Sequence, residues 1–268
     1  MLYYKDYRIG EDKDWVVFVH GAGGSSSIWY RQIKLFRKHF NVLLVDLRGH
    51  GRSKDLLKAY VKSHYTFQDV TADLLEVVDH LKINKAHYVG VSMGSIIIRT
   101  LGEMAPERLK SMILCGAVMR LNIRSRLLVF LGHSIKRFVP YMWLYRLFAF
   151  IIMPNPRDAL SRNLFVREAR KLYKKEFLKW FRMTREVNPL LKYFKEKEIP
   201  VPTLYIMGDG DYMFLPPVEK IVQEHRHAVL NVVENCGHVC NVEKPEVFNK
   251  LAIGFIKHGY QKLQMAST

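Results

Sequence analysis

The sequence predicts an α/β protein: a mostly parallel sheet with helices on both faces and one helical insertion. Three observations carry that reading. Short apolar runs alternate with helical patterns, as strands buried on both faces of a parallel sheet require. The runs end in glycine- or acid-rich segments, and functional groups in such sheets gather at the carboxyl ends of the strands. From Ala117 to Pro200 the alternation stops and helical, aromatic-rich sequence takes over. The 268 residues are 49% hydrophobic, enough for one large core with an inserted subdomain.

The first run, Trp15–Val19, ends in His20-Gly21-Ala22-Gly23-Gly24. The second, Val42–Val45, ends in Asp46-Leu47-Arg48-Gly49-His50-Gly51. The third, Ala86–Gly90, leads into Val91-Ser92-Met93-Gly94, and the fourth, Met112–Cys115, stops at Gly116. The fifth, Thr203–Met207, is followed by Gly208-Asp209-Gly210-Asp211. The sixth, Val229–Val233, precedes Asn235-Cys236-Gly237-His238. Between them, Thr66 and Asp69 supply an N-cap hydroxyl and an early acid for a helix carrying Val70, Leu74, Leu75, Val77, Val78 and Leu81. Ser95–Met104 reads as a helix that Pro106 ends. Pro245 opens a last helix, to Tyr260, with Val247, Phe248, Leu251, Phe255 and Ile256 inward.

Residues 1–116 and 201–268 are thus expected to form the core, and 117–200 a helical cap over its active end. The cap holds most of the charge. The chain carries a formal net charge of +17, and Arg120 to Lys197 holds 19 Lys/Arg against 5 Asp/Glu, a net of +14. A local basic excess suits an anionic membrane surface, an acidic substrate or an acidic protein, or ordinary solvated helix faces. No basic–aromatic module of a nucleic-acid binder is present. Leu127, Leu128, Phe130, Phe138, Tyr141, Trp143, Leu144, Leu147, Phe148 and Phe150 could line an apolar tunnel or form the cap's own core.

Gly90-Val91-Ser92-Met93-Gly94 places a serine between a strand and a helix, on a turn so sharp that side chains at the flanking glycines would clash. A serine hydroxyl needs a base to take its proton. His238 follows the last strand and fits best; His20 and His50 lie in glycine loops of their own, His133 lies in the cap, and His225 and His227 follow a helix. The base needs an acid to fix its tautomer. Asp211 and, two residues earlier, Asp209 both qualify, with Asp211 deeper in the loop. An oxyanion needs aimed N–H donors. Met93 follows the nucleophile, and Ala22 is the choice from the first glycine loop, which lacks the Gly-Lys-Ser/Thr ending of a nucleotide site.

These motifs resemble the α/β-hydrolase superfamily, in its branch of single-domain hydrolases with a cap after the family's sixth strand. The resemblance covers nearly the whole chain and implies the α/β-hydrolase fold. In that family the acid falls at the fourth position of a Gly-x-x-Asp turn, which implies Asp211. Glu243 and Pro245 match a glutamate and a proline that the family places after its histidine, and are read as structural. The resemblance implies a Ser92–His238–Asp211 ester hydrolase with Ala22 and Met93 as oxyanion donors and no metal or organic cofactor. A serine nucleophile sets it apart from the family's dehalogenases and epoxide hydrolases, whose nucleophile is aspartate. Thioesters, lactones and amides stay open, as do a lyase on the same fold and a ligand-binding regulator with negligible turnover. The partner expected is a small-molecule ester, with contact to an anionic membrane as a further option. The three cysteines form no disulfide framework. With no signal-like N-terminus and no apolar stretch of spanning length, they suggest a cytoplasmic protein, able to touch the inner membrane face.

Overall fold

The computed structural model describes residues 1–54, 64–119 and 139–264. Leu127, Leu128, Phe130, His133, Lys136, Arg137 and Phe138 therefore lie outside the described residues. Seven strands form one sheet: β1 (Tyr4–Tyr7), β2 (Trp15–Val19), β3 (Asn41–Val45), β4 (Ala86–Val91), β5 (Leu109–Cys115), β6 (Thr203–Gly208) and β7 (Ala228–Val233). Their order is β1-β3-β2-β4-β5-β6-β7. β1 runs antiparallel to β3, and every other pair is parallel.

The six apolar runs correspond to β2 through β7. Within them residues alternate between two cores, one on each face. Val17, Val19, Leu43 and Val45 join one cluster, and Val16, Phe18, Val42 and Leu44 the other. The strands read as continuous apolar runs because both faces are covered. Helices α1 (Tyr30–Phe36), α2 (Phe67–His80), α3 (Met93–Met104), α7 (Leu215–Glu224) and α8 (Pro245–Gln264, interrupted at Gly259) supply that cover. At the start of α2 Thr66 accepts from Asp69 N at 3.1 Å while Asp69 accepts from Thr66 N at 3.2 Å. This reciprocal cap stabilises the helix by about 1 kcal/mol.

Between β5 and β6 stand α4 (Tyr141–Ile152), α5 (Ala159–Ala169) and α6 (Lys174–Glu196). They have a small core of their own: Leu144, Tyr145, Ala169, Leu172, Phe177 and Phe181. Trp180, Met183, Val187, Leu191 and Phe194 of α6 instead join the core on one face of the sheet. Where α6 meets the sheet end, Trp180 Nε1 donates to Arg48 O at 3.0 Å and Tyr65 donates to Glu176 at 2.6 Å. The insertion is therefore fastened to the loop after β3 and cannot be treated as a freely hinged body.

β3 and β4 lie on opposite sides of β2, so the strand order turns between β2 and β4. In an open α/β sheet the crevice at the carboxyl ends of such a pair is where ligands bind. Here it lies between the His20–Gly24 loop and Ser92.

Candidate active site

Ser92 sits where β4 turns into α3, at φ 53° and ψ −120°. A non-glycine residue in that region costs on the order of 1–3 kcal/mol. Packing imposes it: a Cβ at Gly90 would stand 2.8 Å from the Gly94 backbone, and one at Gly94 would collide with the Val19 carbonyl. The turn thus lifts the serine side chain off the sheet end and sets it at the amino end of α3, where developing negative charge is favoured.

His238 Nε2 lies 3.0 Å from Ser92 Oγ, and His238 Nδ1 lies 2.7 Å from Asp211 Oδ2. The sequence separations are 146 and 27 residues, so only the sheet brings these groups together. Asp211 is 0% exposed, and its other oxygen accepts from Phe214 N at 3.3 Å. Burial by itself would lower the His238 pKa, but the adjacent Asp211 carboxylate outweighs it and the net shift is upward.

Asp209, the rival acid, does something else. It is 40% exposed, accepts from Asn235 N at 3.0 Å and Cys236 N at 3.1 Å, and faces Arg157 at 3.6 Å. It clamps the loop that carries His238. Glu243, matched only through the family pattern, holds the same loop from the far side. It accepts from Gly237 N at 2.6 Å and from Ser161 Oγ of α5 at 2.7 Å, tying the histidine loop to the insertion.

Among the described residues the N–H groups of Ala22 and Met93 donate to no protein acceptor, and both residues line the cavity that Ser92 opens into. The loop bearing Ala22 is set by two buried histidines whose positioning part is not evident from the sequence. Leu47 N donates to His20 Nε2 at 3.0 Å, and Gly23 N donates to His50 Nε2 at 3.0 Å. Each ring accepts a backbone N–H and so must be neutral there. Burial keeps it so: it lowers the His20 pKa and, with His20 beside it, pushes that of His50 down to about 3. The signal available in the sequence was a histidine inside each of the first two glycine loops, His20 and His50.

Two cavities meet at Ser92. The larger, about 190 Å³, is lined by Phe67, Ile96, Phe148, Ile151, Trp180, Phe181, Met213 and other apolar side chains. Of the tunnel residues expected from the sequence, the described structure places Phe148 there; Tyr141 and Leu144 pack in the insertion's core, and Trp143, Leu147 and Phe150 point to solvent. Tyr145 also lines this cavity. It is 5% exposed, its hydroxyl has no hydrogen-bond partner among the described residues, and a Cβ at Gly23 would stand 3.0 Å from that hydroxyl oxygen. Burial raises its pKa, so the phenol stays protonated and able to donate. The smaller cavity, about 60 Å³, lies on the His238 side against Gly24, Ile28, Ser161, Leu164, Glu168 and Val239. Among the described residues no cluster of three or more His, Cys, Asp or Glu is arranged to hold a metal ion.

The fold and this constellation define the class. The model of the alpha/beta hydrolase family matches residues 16–251, and the chain belongs to that family. It is 24% identical over 249 residues to 3-oxoadipate enol-lactonase 1 of Acinetobacter baylyi, covering 90% of this chain and 88% of the relative. It is 27% identical to 2-hydroxy-6-oxononadienedioate/2-hydroxy-6-oxononatrienedioate hydrolase 1 of Pseudomonas putida, covering 96% and 92%. Among solved structures it resembles the enol-lactonase of Burkholderia xenovorans, with a TM-score of 0.78, 23% identity and 96% of each chain covered.

Proposed function

We propose that this protein is a serine hydrolase that cleaves a carboxylic ester, open-chain or lactone, through an acyl-enzyme. The observation that supports this best is His238 bridging Ser92 and Asp211 at the floor of an apolar cavity. Ser92 Oγ attacks the ester carbonyl as its proton passes to His238 Nε2. The oxyanion takes hydrogen bonds from Ala22 and Met93 N–H, and Asp211 stabilises the imidazolium. The imidazolium then protonates the departing alcohol oxygen as the carbon–oxygen bond breaks. Water, deprotonated by the same histidine, adds to the acyl-serine; the acyl–Oγ bond then breaks, Ser92 Oγ takes the proton back from His238 and the acid leaves. The relative named for an enol-lactone acts on an internal ester, which is consistent with this course.

The two cavities suggest the shape of the substrate. At roughly 30 Å³ per water-sized group, 190 Å³ accepts an acyl chain of about six carbons and 60 Å³ an alcohol of about two heavy atoms. Each buried methylene contributes about 0.8 kcal/mol, or roughly fourfold in kcat/KM. The ethyl ester series should therefore rise about fourfold per methylene from acetate to hexanoate and then level off. A flat series, or one falling from acetate, would refute the acyl assignment.

Tyr145 adds a polar requirement. Its free phenol lies toward the oxyanion loop, placed to donate to an oxygen on the acyl chain near the scissile carbonyl. A neutral hydrogen bond contributes about 1 kcal/mol, or roughly fivefold. Ethyl 3-hydroxyhexanoate should be preferred over ethyl hexanoate, and Tyr145→Phe should erase that preference while changing hexanoate turnover less than about twofold. An equal loss on both esters would make Tyr145 a third oxyanion donor instead.

A further inference from the structure

The proposed chemistry leaves the outer face of α4 unused. Along Tyr141–Ile152 the side chains divide by helical spacing. Tyr145, Phe148, Ile151 and Ile152 turn toward the acyl cavity. Trp143, Arg146, Leu147 and Phe150 fall at i, i+3, i+4 and i+7 on the solvent side. Trp143 is 66% exposed, Leu147 46% and Phe150 57%. Leu160, near the start of α5, is 51% exposed. Isolated apolar side chains at a surface are ordinary; three in register on one helix face, one of them tryptophan, mark an interaction site.

An open cleft adjoins this stripe, lined by Arg146, Arg162, Arg167 and Arg170 with Phe150 between them. Helix α4 has no acidic residue, and the one acid of α5, Glu168, is buried, accepts from Ser25 Oγ at 3.0 Å and pairs with Lys171 at 2.7 Å and Arg167 at 3.8 Å. Among the described residues Arg146 and Arg170 have no carboxylate partner, and Arg162 donates to the carbonyls of Met153 and Asn155 at 2.5 and 3.3 Å. Arg167 faces Glu168, but among the described residues the other three arginines pair with no carboxylate, so the cleft keeps an excess of positive charge beside an exposed apolar stripe.

We propose that the α4–α5 face docks on an anionic phospholipid bilayer. Trp143, Leu147 and Phe150 enter the boundary between headgroups and acyl chains, and the arginines hold lipid phosphates. A free phosphate would satisfy the guanidinium groups and leave the stripe in water; a neutral bilayer would bury the stripe and leave the charge unmatched. An anionic bilayer satisfies both. Among the described residues no helix is long and apolar enough to cross a membrane, so the contact is peripheral. Because the inner face of the same helix lines the cavity above Ser92, docking would bring a membrane-dissolved ester to the site. That last step rests on the hydrolase reading; the docking does not.

The test uses the full chain with vesicles of phosphatidylcholine alone or mixed with phosphatidylglycerol. The protein should sediment with the mixed vesicles and not with the neutral ones. Raising salt from about 0.1 M to about 1 M, which shortens the Debye length from about 10 Å to about 3 Å, should release part of it. Trp143 is one of four tryptophans, and Trp29 and Trp180 are buried. Its emission should shift to the blue on binding, and Trp143→Phe should remove that shift. Neutralising Arg146 and Arg170 together as glutamines should weaken binding about 30-fold, at roughly fivefold for each arginine. Hydrolysis of a short soluble ester should stay unchanged, since neither residue touches the site. Equal recovery in the supernatant with both vesicle types, or wild-type binding by the double variant, would overturn the docking. Neither result depends on turnover, so failure here and failure of the hydrolase reading are separate outcomes.

Discussion

Replacing Ser92 with alanine is expected to lower ester hydrolysis by about 10⁵- to 10⁶-fold, to the level left when a serine triad loses its nucleophile. The fold should be unchanged. The hydroxyl makes no packing contact that the core needs, and an alanine, which keeps the Cβ, can hold the same backbone at φ 53°. A fluorophosphonate should label the wild type at Ser92 and fail to label the variant. This pair of measurements separates the hydrolase from its rivals. A lyase that uses the triad only to move a proton would label at Ser92 yet leave simple esters intact. A regulatory binding protein with this geometry would label and show negligible turnover of every ester in the chain-length series. Labelling at a different serine would move the nucleophile and remove the basis for Ala22 and Met93 as oxyanion donors.

What the sequence disclosed, and what it hid, follows from how local each signal is. The six parallel strands were legible because burial on both faces makes each a short apolar run, closed by a glycine or an acid. β1 was not. Tyr4–Tyr7 reads Tyr-Lys-Asp-Tyr, an edge strand with its middle residues exposed, and its pairing with Val42–Val45 is a long-range fact. Ser92, His238 and Asp211 could be singled out because each sits just past a strand on a turn of distinctive composition. The partners that hold them in place could not. The hydrogen bonds from Leu47 N to His20, Gly23 N to His50 and Ser161 Oγ to Glu243 join segments that meet only in the folded chain. In the insertion the aromatic content was visible but its faces were not. Trp143 and Tyr145 are two residues apart and point opposite ways, one to solvent and one to the cavity.

The two aspartates of the Gly208-Asp209-Gly210-Asp211 turn make the sharpest internal comparison, because one substitution type tests both. Asp211→Asn should cost about 10⁴-fold in kcat, the loss that follows when an amide replaces the acid of a serine triad. The amide can still accept from Phe214 N, so the loop should keep its shape. In that orientation its N–H₂ faces His238 Nδ1 and favours the wrong tautomer, and turned the other way its oxygen no longer carries the charge that stabilises an imidazolium. Asp209→Asn should change kcat by less than about fivefold. Its amide oxygen can still accept from Cys236 N or Asn235 N, the ion pair with Arg157 is half exposed, and the lost hydrogen bond is worth about 1 kcal/mol of stability. The pH profile gives a second, independent reading. His238 must be neutral to act as base, so activity falls as pH drops through its pKa. Asp211 raises that pKa above its ordinary value of 6.5 despite burial, which places the acid limb above 6.5 in the wild type. Without that carboxylate, burial is opposed only by the weaker pull of Glu243 and Asp158, and the limb of Asp211→Asn should move to lower pH. In Asp209→Asn it should stay where it was. If Asp209→Asn proves the crippling change, or if the acid limb ignores Asp211→Asn, the acid has been assigned to the wrong carboxylate.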